Sequence, residues 1–374
     1  MKEFSFAGNS LIPTEISKLR LFSAKARPDT LNLGLGKPYM DTPPELKKLA
    51  KELIDKSALD YSDNAGTPAL REAIGKKFNL KASEVCVTHG AQEALMCTLM
   101  GLLNDGDEVL IPDPGFVAYQ TMVQILGGKA TAYPLTWKEG EFVYDIDQIL
   151  ERVTERTRIV MLGRISNPTG SDLSPIQLVR LARQLKEKDI IIITDEVYAE
   201  LNFFEFYQPG TCLTDNIIAI NSLSKSHALT GWRLGYVLCR MEPLMKKIIV
   251  AHQYIGTCAT RLSQNLAEKI FVDDVLYNKI VQNFKEHYRN GLDLFLKTTE
   301  LPLKMPRGSF YLFPRIPDKF KTDYEFAEEL LARQNMLVIP GSVFGALGTR
   351  HVRLALSLET HKIKQAADTF KHYY

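Results

Sequence analysis

Residues 221–236 read NSLSKSHALTGWRLGY, and this stretch decides the fold of the chain. Short apolar runs flank it, Ile217 to Ile220 before it and Tyr236 to Cys239 after it, and both are typical of buried strands. A lysine alone would carry no information among 46 basic residues. Lys225, however, follows small hydroxyl residues after a predicted strand, and Arg233 stands further along between apolar residues. These neighbouring residues, rather than the lysine alone, indicate a functional site.

The chain around this stretch alternates short apolar runs with amphipathic segments from about residue 85 onward. Ile190 to Thr194 holds four consecutive isoleucines, as expected for a strand that is covered on both faces of its sheet. Such alternation predicts an α/β fold with a mostly parallel sheet and helices on both faces. The other predicted elements are strands at Val85 to Thr88, Glu108 to Pro112 and Arg158 to Leu162, and helices at Ala91 to Leu103 and Ser174 to Lys188.

The pattern changes after about residue 240, where a long helical region replaces the alternation. Two strand-like pieces with a helix between them follow, which predicts a smaller α+β domain. The first 40 or so residues contain no complete unit, so we expect them to pack on that domain. We therefore predict a large domain at 42–265 and a small domain built from 1–41 and 266–374. The segments behind this prediction are Pro243 to Leu296, Gly308 to Phe313, Asp323 to Gln334 and His351 to Leu356.

Composition excludes several classes of protein. The 374 residues suffice for two domains, and 45% hydrophobic with 24% charged residues is ordinary for a globular chain. The net charge of +2, from 46 basic and 44 acidic residues, gives no electrostatic basis for binding nucleic acid or a membrane surface. No apolar run reaches the roughly 18 residues that span a bilayer. Residues 1–20 show no signal-peptide pattern.

Cysteine and histidine usage predicts a reducing, cytoplasmic setting and no metal site. The five cysteines form an odd number and contain no CxxC pair, which argues against a disulfide framework and against zinc. The seven histidines are dispersed without ligand spacing. Two of them, His89 and His227, flank the motifs described next, and we expect both to be structural.

The motifs of the chain resemble those of class I and II aminotransferases, which are fold type I pyridoxal-phosphate (PLP) enzymes like aspartate aminotransferase. Residues 221–236 resemble the family's S-x-S-K and T-G-W-R-x-G-Y signature. The resemblance implies the PLP-dependent transferase fold, with a large domain around a mostly parallel sheet and a smaller α+β domain. Seven further motifs stand in the family's order: Asn32 to Pro38, Tyr61 to Arg71, His89 to Leu95, Asp113 to Tyr119, Asn167 to Gly170, Asp195 to Tyr198, and Arg353.

The resemblance implies that Lys225 carries PLP as a Schiff base and later moves the substrate proton. A free lysine has a pKa of about 10.4, so burial and nearby cations must lower it before the amine reacts. Asp195, buried at a strand end, would pair with the pyridinium nitrogen and keep the ring protonated. Tyr198 and Asn167 would hydrogen-bond the phenolic oxygen from two sides. Phe116 would stack on the ring face.

The cofactor phosphate requires several donors. Gly90, Ala91 and Gln92 lie at a predicted strand-to-helix junction, where free N–H groups and the helix dipole favour an anion. Ser222 and Ser224 add hydroxyl groups, and Arg233 can grip two phosphate oxygens as a fork. In the family, the tyrosine that corresponds to Tyr61 reaches the phosphate of the neighbouring subunit. The resemblance therefore implies a homodimer with shared active sites.

The resemblance assigns the substrate α-carboxylate to Arg353, with help from Asn167 and the Gly36 backbone. The chain departs from the family pattern at Arg164, which ends a predicted buried strand near the cofactor. This arginine either binds a second substrate carboxylate or serves a local ion pair. Arg261, near the domain junction, leaves the same alternatives open. Lys37, where an acidic residue is frequent in the family, either faces solvent or favours an acidic substrate.

The predicted activity is reversible transfer of an amino group between an L-amino acid and a 2-oxo acid, with ping-pong kinetics. A PLP-dependent C–S lyase or a cyclase would use the same residues, because a carbanion at Cα can also expel a β-substituent. A third alternative is a PLP-binding regulator without catalytic activity. Regulators of that kind carry a DNA-binding module, and no helix-turn-helix pattern is present. The identity of the amino donor stays open at this stage.

Overall fold

The computed structural model describes residues 17–374, and a single large sheet organises most of them. Its long apolar runs become strands because both faces are covered, which leaves Ile192, Ile193, Ile217 and Ile218 without exposed surface. The strands are β1 (Leu31–Asn32), β2 (Val85–Thr88), β3 (Glu108–Asp113), β4 (Lys129–Lys138), β5 (Glu141–Tyr144), β6 (Thr157–Gly163), β7 (Ile191–Asp195), β8 (Ile217–Ser222), β9 (Gly235–Leu238), β10 (Tyr311–Leu312), β11 (Met336–Leu337), β12 (Ile339–Pro340) and β13 (Val352–Ala355).

Helices cover the sheet and build most of the chain after residue 240. Several begin with proline in the first turn, which fits the fixed φ of proline, and Ser174 closes a capping box with Gln177. The helices are α1 (Lys18–Ser23), α2 (Pro44–Lys56), α3 (Pro68–Phe78), α4 (Ala91–Leu102), α5 (Ala118–Ile125), α6 (Ile146–Glu151), α7 (Pro175–Lys186), α8 (Leu223–Ser226), α9 (Glu242–Gly256), α10 (Arg261–Val272), α11 (Asp274–Thr299), α12 (Asp323–Gln334) and α13 (Thr360–Lys371).

The large sheet has eight strands in the order β2-β9-β8-β7-β6-β3-β4-β5. The strands from β8 to β4 run parallel, whereas β2, β5 and β9 are antiparallel to their neighbours. The carboxyl ends of β3, β6, β7 and β8 therefore meet at one edge of the sheet. In open sheets of this type, that edge is where ligands bind. The α/β prediction with a mostly parallel sheet is confirmed.

A second, smaller group of strands lies in the C-terminal part of the chain. β10, β13 and β12 form an antiparallel sheet, and β1 pairs in parallel with β11, through Leu31 opposite Met336. The N-terminal strand thus joins the C-terminal region by hydrogen bonds. Residues 1–16 of the predicted small domain lie outside the described residues. The division into 42–265 and the two terminal segments stays a prediction.

Several sequence-based boundaries differ from the structure. β4 and β5 were not predicted, because β4 is an outer strand with partly exposed residues and lacks a continuous apolar run. The helical region from residue 243 to 296 is three helices, broken at Thr257 and at Asp273. Gly308 to Phe313 contributes only the two residues of β10 to a strand. No helix within residues 17–374 is both long and apolar enough to cross a bilayer.

Candidate active site

A cavity of about 510 Å³ opens at the carboxyl edge of the parallel strands. It gathers side chains from both parts of the chain, because β13 and the loop after β1 close it from above the sheet. Gly90 and Tyr61 do not line it. Gly90 is the residue before α4, and Tyr61 is 86% exposed. The predicted residues that line the cavity are Gly36, Ala91, Gln92, Phe116, Asn167, Asp195, Tyr198, Ser222, Ser224, Lys225, Arg233 and Arg353.

Lys225 lies on the single turn of α8, directly after β8. Its Nζ donates a hydrogen bond of 2.7 Å to the carbonyl oxygen of Gly36. Burial lowers the pKa of Lys225 to about 8, and the positive charges of Arg353 and Arg233 act in the same direction. A neutral, nucleophilic amine is therefore accessible near neutral pH.

Asp195 is the last residue of β7, and its carboxylate faces the cavity. Its Oδ2 accepts a hydrogen bond of 2.8 Å from the hydroxyl of Tyr119. Burial raises the pKa of Asp195, whereas the hydrogen bond from Tyr119 lowers it. A carboxylate in this setting is stabilised when a cation arrives, which suits a protonated ring nitrogen. Tyr119 stood in a quoted motif, but the sequence assigned it no role.

Tyr198 and Tyr311 form a hydroxyl pair at the wall of the cavity, with 2.7 Å between the two oxygens. Tyr311 comes from β10, far along the chain, and the sequence analysis missed it. A Cβ atom at Gly36 would collide with the Tyr311 hydroxyl, so this glycine allows its backbone to approach. Arg20, on α1, also lines the cavity, and the sequence assigned it no role.

Arg353 is buried in β13 with 2% of its surface exposed. Nη1 donates to Asn167 Oδ1 at 2.8 Å and Nη2 to the Gly34 carbonyl at 2.6 Å. The guanidinium lies between the rings of Tyr311 and Phe344, at 4.6 and 4.8 Å from their centres. Within residues 17–374 its Nε has no hydrogen-bond partner, and its other nitrogens bond only to the neutral groups of Asn167 and Gly34. This arrangement fits a carboxylate supplied by a ligand.

The opposite end of the cavity is formed by the start of α4. The N–H groups of Ala91 and Gln92 make no hydrogen bond within the described part of the chain, and Gly90 provides no side-chain cap. Thr88, at the end of β2, lies opposite Gly235. A Cβ atom at Gly235 would come within 2.5 Å of the Ala91 nitrogen, so the glycine keeps this space open.

Hydroxyl groups and one arginine complete this end. Ser222 Oγ lies 2.7 Å from Ser224 Oγ and accepts a bond from the Ser224 N–H at 2.9 Å. Arg233, which is exposed, is directed by its bonds to the carbonyl oxygens of Thr230 and His89, at 2.9 and 3.3 Å. Free N–H groups at a helix start, hydroxyls and a guanidinium together suit a phosphate group.

Comparison with known proteins agrees with this geometry. The family model described as aminotransferase class I and II matches residues 28–370. The chain belongs to the class I and II aminotransferase family. This confirms the resemblance and the predicted aminotransferase activity, and enzymes of this family depend on PLP.

The relatives of this aminotransferase match it over nearly its whole length. It is 36% identical to an aspartate aminotransferase of Pyrococcus abyssi over 95% of this chain and 94% of that protein. It is 33% identical to aromatic-amino-acid aminotransferase 2 of Thermococcus litoralis, with the same coverage. The solved structure of Thermus thermophilus aspartate aminotransferase with maleate has a TM-score of 0.92 at 27% identity. That comparison covers 99% of this chain and 100% of the other.

The three basic residues whose roles the sequence left open have different surroundings in this aminotransferase. Arg164 is paired within the protein, since its Nε lies 3.3 Å from Asp172 Oδ1 and its Nη1 3.8 Å from Glu196 Oε1. The local ion pair is therefore the correct alternative for Arg164. Arg261 donates to Asn265 at 3.1 Å, and Lys37 is exposed. None of the three lines the cavity.

Two histidines that are far apart in the sequence meet beside the start of α4. Their ring nitrogens and the carboxylate between them lie within 4.8 Å of one another. The spacing of the seven histidines along the chain did not indicate this group, because its members come from α4 and α9 and from the loop before α4. The residues are His89, Glu93 and His252.

Proposed function

We propose that this aminotransferase binds PLP in the cavity through Lys225 and moves an amino group between an L-amino acid and a 2-oxo acid. The observation that carries the proposal is the joint position of three groups in one cavity. Lys225 has a lowered pKa, Asp195 is a buried carboxylate, and Arg353 is a buried cation with no carboxylate partner among residues 17–374. An amine nucleophile, a partner for a ring nitrogen and a carboxylate clamp are what the reaction requires.

The polar groups that line the cavity match each part of PLP: its phosphate, its ring nitrogen and its phenolic oxygen. The start of α4 with Ser222, Ser224 and Arg233 offers donors for the phosphate, and Asp195 offers an acceptor for the protonated ring nitrogen. Phe116 lines the cavity and is available for stacking on the ring. Tyr198 and Asn167 provide a hydroxyl and an amide for the phenolic oxygen.

PLP, when bound, supplies an aldehyde that reacts with amines and a ring that withdraws electrons from the substrate Cα. Lys225 would hold this aldehyde through its neutral amine, which burial makes available, and its Nζ would take the proton from the substrate Cα. Asp195 stabilises positive charge on the ring nitrogen, and Tyr119 holds this carboxylate in place. Tyr198, orientated by Tyr311, holds the phenolic oxygen.

Arg353 orientates the substrate through its α-carboxylate. Asn167 and Gly34 already fix two of its nitrogens, so the fork is arranged before the substrate binds. Asn167 and the Gly36 backbone complete the carboxylate site. The same site must accept the amino acid and then the oxo acid, because both carry this carboxylate. The amino group stays on the enzyme when the first product leaves, and the oxo acid binds only afterwards, so we expect ping-pong kinetics.

We also propose a homodimer with shared active sites, in which Tyr61 reaches the phosphate site of the partner. Tyr61 is 86% exposed, and exposed apolar side chains surround its segment and the neighbouring end of α9: Leu59, Tyr254 and Ile255. A cytoplasmic location is part of the proposal and is supported by five free cysteines. Sedimentation of the purified protein tests the dimer, and a monomer would contradict it.

A spectroscopic panel tests the proposed activity. The purified PLP-loaded protein is mixed with single amino acids, L-aspartate and the aromatic amino acids first, because the relatives are named for them. We expect the yellow absorbance of the bound cofactor to convert to that of pyridoxamine phosphate. A protein that binds PLP but responds to none of the twenty amino acids would contradict the proposal. Release of pyruvate from cystathionine without an oxo acid would indicate the lyase instead.

A lysine variant tests the covalent link, with a matched control. Lys225→Ala is treated with PLP and borohydride beside Lys37→Ala, which removes an exposed lysine outside the cavity. We expect a reduced adduct in the control and none at the active site of Lys225→Ala. A borohydride-reducible adduct in the cavity of Lys225→Ala would overturn the assignment.

A further inference from the structure

One cluster of titratable side chains lies outside the cavity, next to its phosphate end. Glu93 is in the first turn of α4, directly after Ala91 and Gln92. Its Oε1 accepts hydrogen bonds from the backbone N–H of His89 at 3.0 Å and from His89 Nδ1 at 2.9 Å. Nε2 of His252, on α9, lies 2.9 Å from the same oxygen. Glu93 therefore joins the start of α4 to α9.

The cluster keeps Glu93 ionised. Burial opposes ionisation, but the contacts with His252 and His89 hold the pKa of Glu93 well below its usual range. The hydrogen bond with Glu93 in turn raises the pKa of His89. The contacts with the two imidazole rings thus stabilise a carboxylate that lies beside an anion site.

The distances in the cluster are those of direct nitrogen–oxygen contacts rather than of ligands around a metal ion. The N···O separations of 2.9 Å are those of hydrogen bonds and ion pairs. Nitrogen and oxygen ligands on a tetrahedral zinc ion, with bonds of about 2.0–2.1 Å, lie about 3.3 Å apart.

His252 connects this cluster to the segment that carries Tyr61. The side chain of His252 is fully buried, and its Nδ1 lies 2.6 Å from the backbone oxygen of Asn64. A carbonyl oxygen only accepts, so Nδ1 carries a proton and donates it. Asn64 lies three residues after Tyr61, and its own Nδ2 donates to the Thr257 carbonyl at 2.7 Å.

We propose that His252 is a positioning residue for cofactor binding, because it joins Glu93 to the Asn64 carbonyl and so fixes the segment 61–64 that presents Tyr61 to the partner protomer. This inference rests on the proposed function, in which Tyr61 contacts the phosphate of PLP in the partner. His252 thus links the start of α4, which binds the phosphate in its own protomer, to Tyr61, which reaches the phosphate in the partner protomer. The two are parts of one rigid unit.

Other hydrogen bonds limit what the loss of His252 does to the fold. Gln264 Nε2 donates to Ser62 Oγ at 2.9 Å, and the Val87 N–H donates to the Ala65 carbonyl at 2.9 Å. The segment therefore stays attached when the His252 bond is removed. We expect Tyr61 to be displaced rather than the chain to unfold.

Two amide variants separate the two contacts of His252. The amide nitrogen of asparagine occupies nearly the position of Nδ1, and that of glutamine nearly the position of Nε2. His252→Asn therefore keeps the bond to Asn64, whereas His252→Gln keeps the contact with Glu93 and loses Asn64. A role in packing alone would give the two variants similar effects.

The affinity of the cofactor-free full-length protein for PLP is measured by absorbance titration for both variants. We expect His252→Gln to bind PLP about 10-fold more weakly, the effect of one lost hydrogen bond in a buried network. His252→Asn should stay within about threefold of wild type. Equal losses in both variants, or wild-type affinity in His252→Gln, would overturn the inference.

Tyr61→Phe separates this inference from the proposed function. We expect it to weaken PLP binding about 10-fold, and the double variant with His252→Gln to be no weaker than either single variant. Additive losses would overturn the coupling between the two residues. Unchanged affinity in Tyr61→Phe would instead overturn the proposed phosphate contact, and the inference with it.

Amide hydrogen exchange reports on the segment without any cofactor. In His252→Gln, the amides of residues 61–66 should exchange faster than in wild type, whereas His252→Asn should leave them unchanged. If His252→Gln does not fold, His252→Leu replaces it; like His252→Asn it loses the contact with Glu93, so the difference between these two variants isolates the bond to Asn64. Exchange that is unaltered in these variants would contradict the anchoring role.

Discussion

Arg353 and Arg164 are both buried near the edge of the large sheet, with 2% and 5% of their surfaces exposed, yet their surroundings differ. Asp172 and Glu196 compensate Arg164, and although burial opposes it, their charges raise the pKa of Arg164 above its usual value. Burial lowers the pKa of Arg353, which has only neutral partners within the described residues. One charge is balanced inside the protein, and the other is left for a ligand.

The comparison explains why a buried arginine alone does not identify a substrate site. Removing a partner from a buried ion pair leaves an uncompensated charge, so Arg164 is tied to stability. Arg353 already bears the cost of burial with no carboxylate from the described part of the chain, which makes a ligand carboxylate favourable. Loss of Arg353 should therefore impair activity and spare stability, whereas loss of Arg164 should impair stability and spare activity.

Arg353→Met should have the largest effect, on catalysis. We expect kcat/KM for amino acids to fall about 10³-fold, because a charged partner of the substrate carboxylate is lost. Primary amines without a carboxylate should lose much less, and the free energy of unfolding should not fall. Steady-state kinetics on both kinds of substrate, with the exposed Arg315→Met as control, measure the difference. Equal losses for both substrates would erase the contrast between the two arginines.

Arg164→Met should act on stability instead. We expect the free energy of unfolding to fall by about 3–5 kcal/mol, because Asp172 and Glu196 would be buried without their cation. The folded variant should keep kcat/KM within about threefold of wild type. Urea unfolding measures the loss, and neutralising the two acids as well, with Asp172→Asn and Glu196→Gln, should recover part of it. A variant as stable as wild type would refute the structural role.

Lys225→Met extends the comparison to a third buried cation, because the charge of Arg353 lowers the pKa of Lys225. In the cofactor-free protein, the pKa of Lys225 is about 8 when folded, against 10.5 for a lysine in water. Between these values the unfolded chain binds more protons, so stability rises with pH across this window. Below pH 8 the variant should be more stable by up to about 3 kcal/mol, and the difference should vanish above pH 10.5. Urea unfolding at pH 7 and above pH 10.5 measures it, and a pH-independent difference would contradict the lowered pKa.

Tyr119→Phe should have the smallest effect. The variant loses one hydrogen bond to Asp195, so we expect kcat to fall about 10-fold or less. That bond lowers the pKa of Asp195, and its loss should move the acidic limb of the kcat/KM profile to higher pH. Tyr133→Phe, which removes a buried hydroxyl bonded to the Met161 carbonyl, is the control and should not move that limb.

The regular elements near the cofactor site were predictable, and the reason is local. Val85 to Thr88 was predicted as a strand to the residue, and the strand that ends at Asp195 was placed within one residue, because continuous apolar runs leave few alternatives. β4 was missed because its partly exposed residues give no such run. Tyr311 and Tyr119 were missed as site residues because their partners lie 113 and 76 residues away in the chain.

The amino-acid sequence by itself determined the family, the α/β fold and a set of residues for PLP. Motifs of reactive residues in a fixed order can be recognised without knowledge of contacts. Those site assignments stay predictions until they are tested. Only the tertiary structure decided which arginine is balanced within the protein and which is not, and which histidines share a carboxylate. Charge compensation and hydrogen bonding act over a few ångströms in space, and that distance is invisible in residues far apart along the chain.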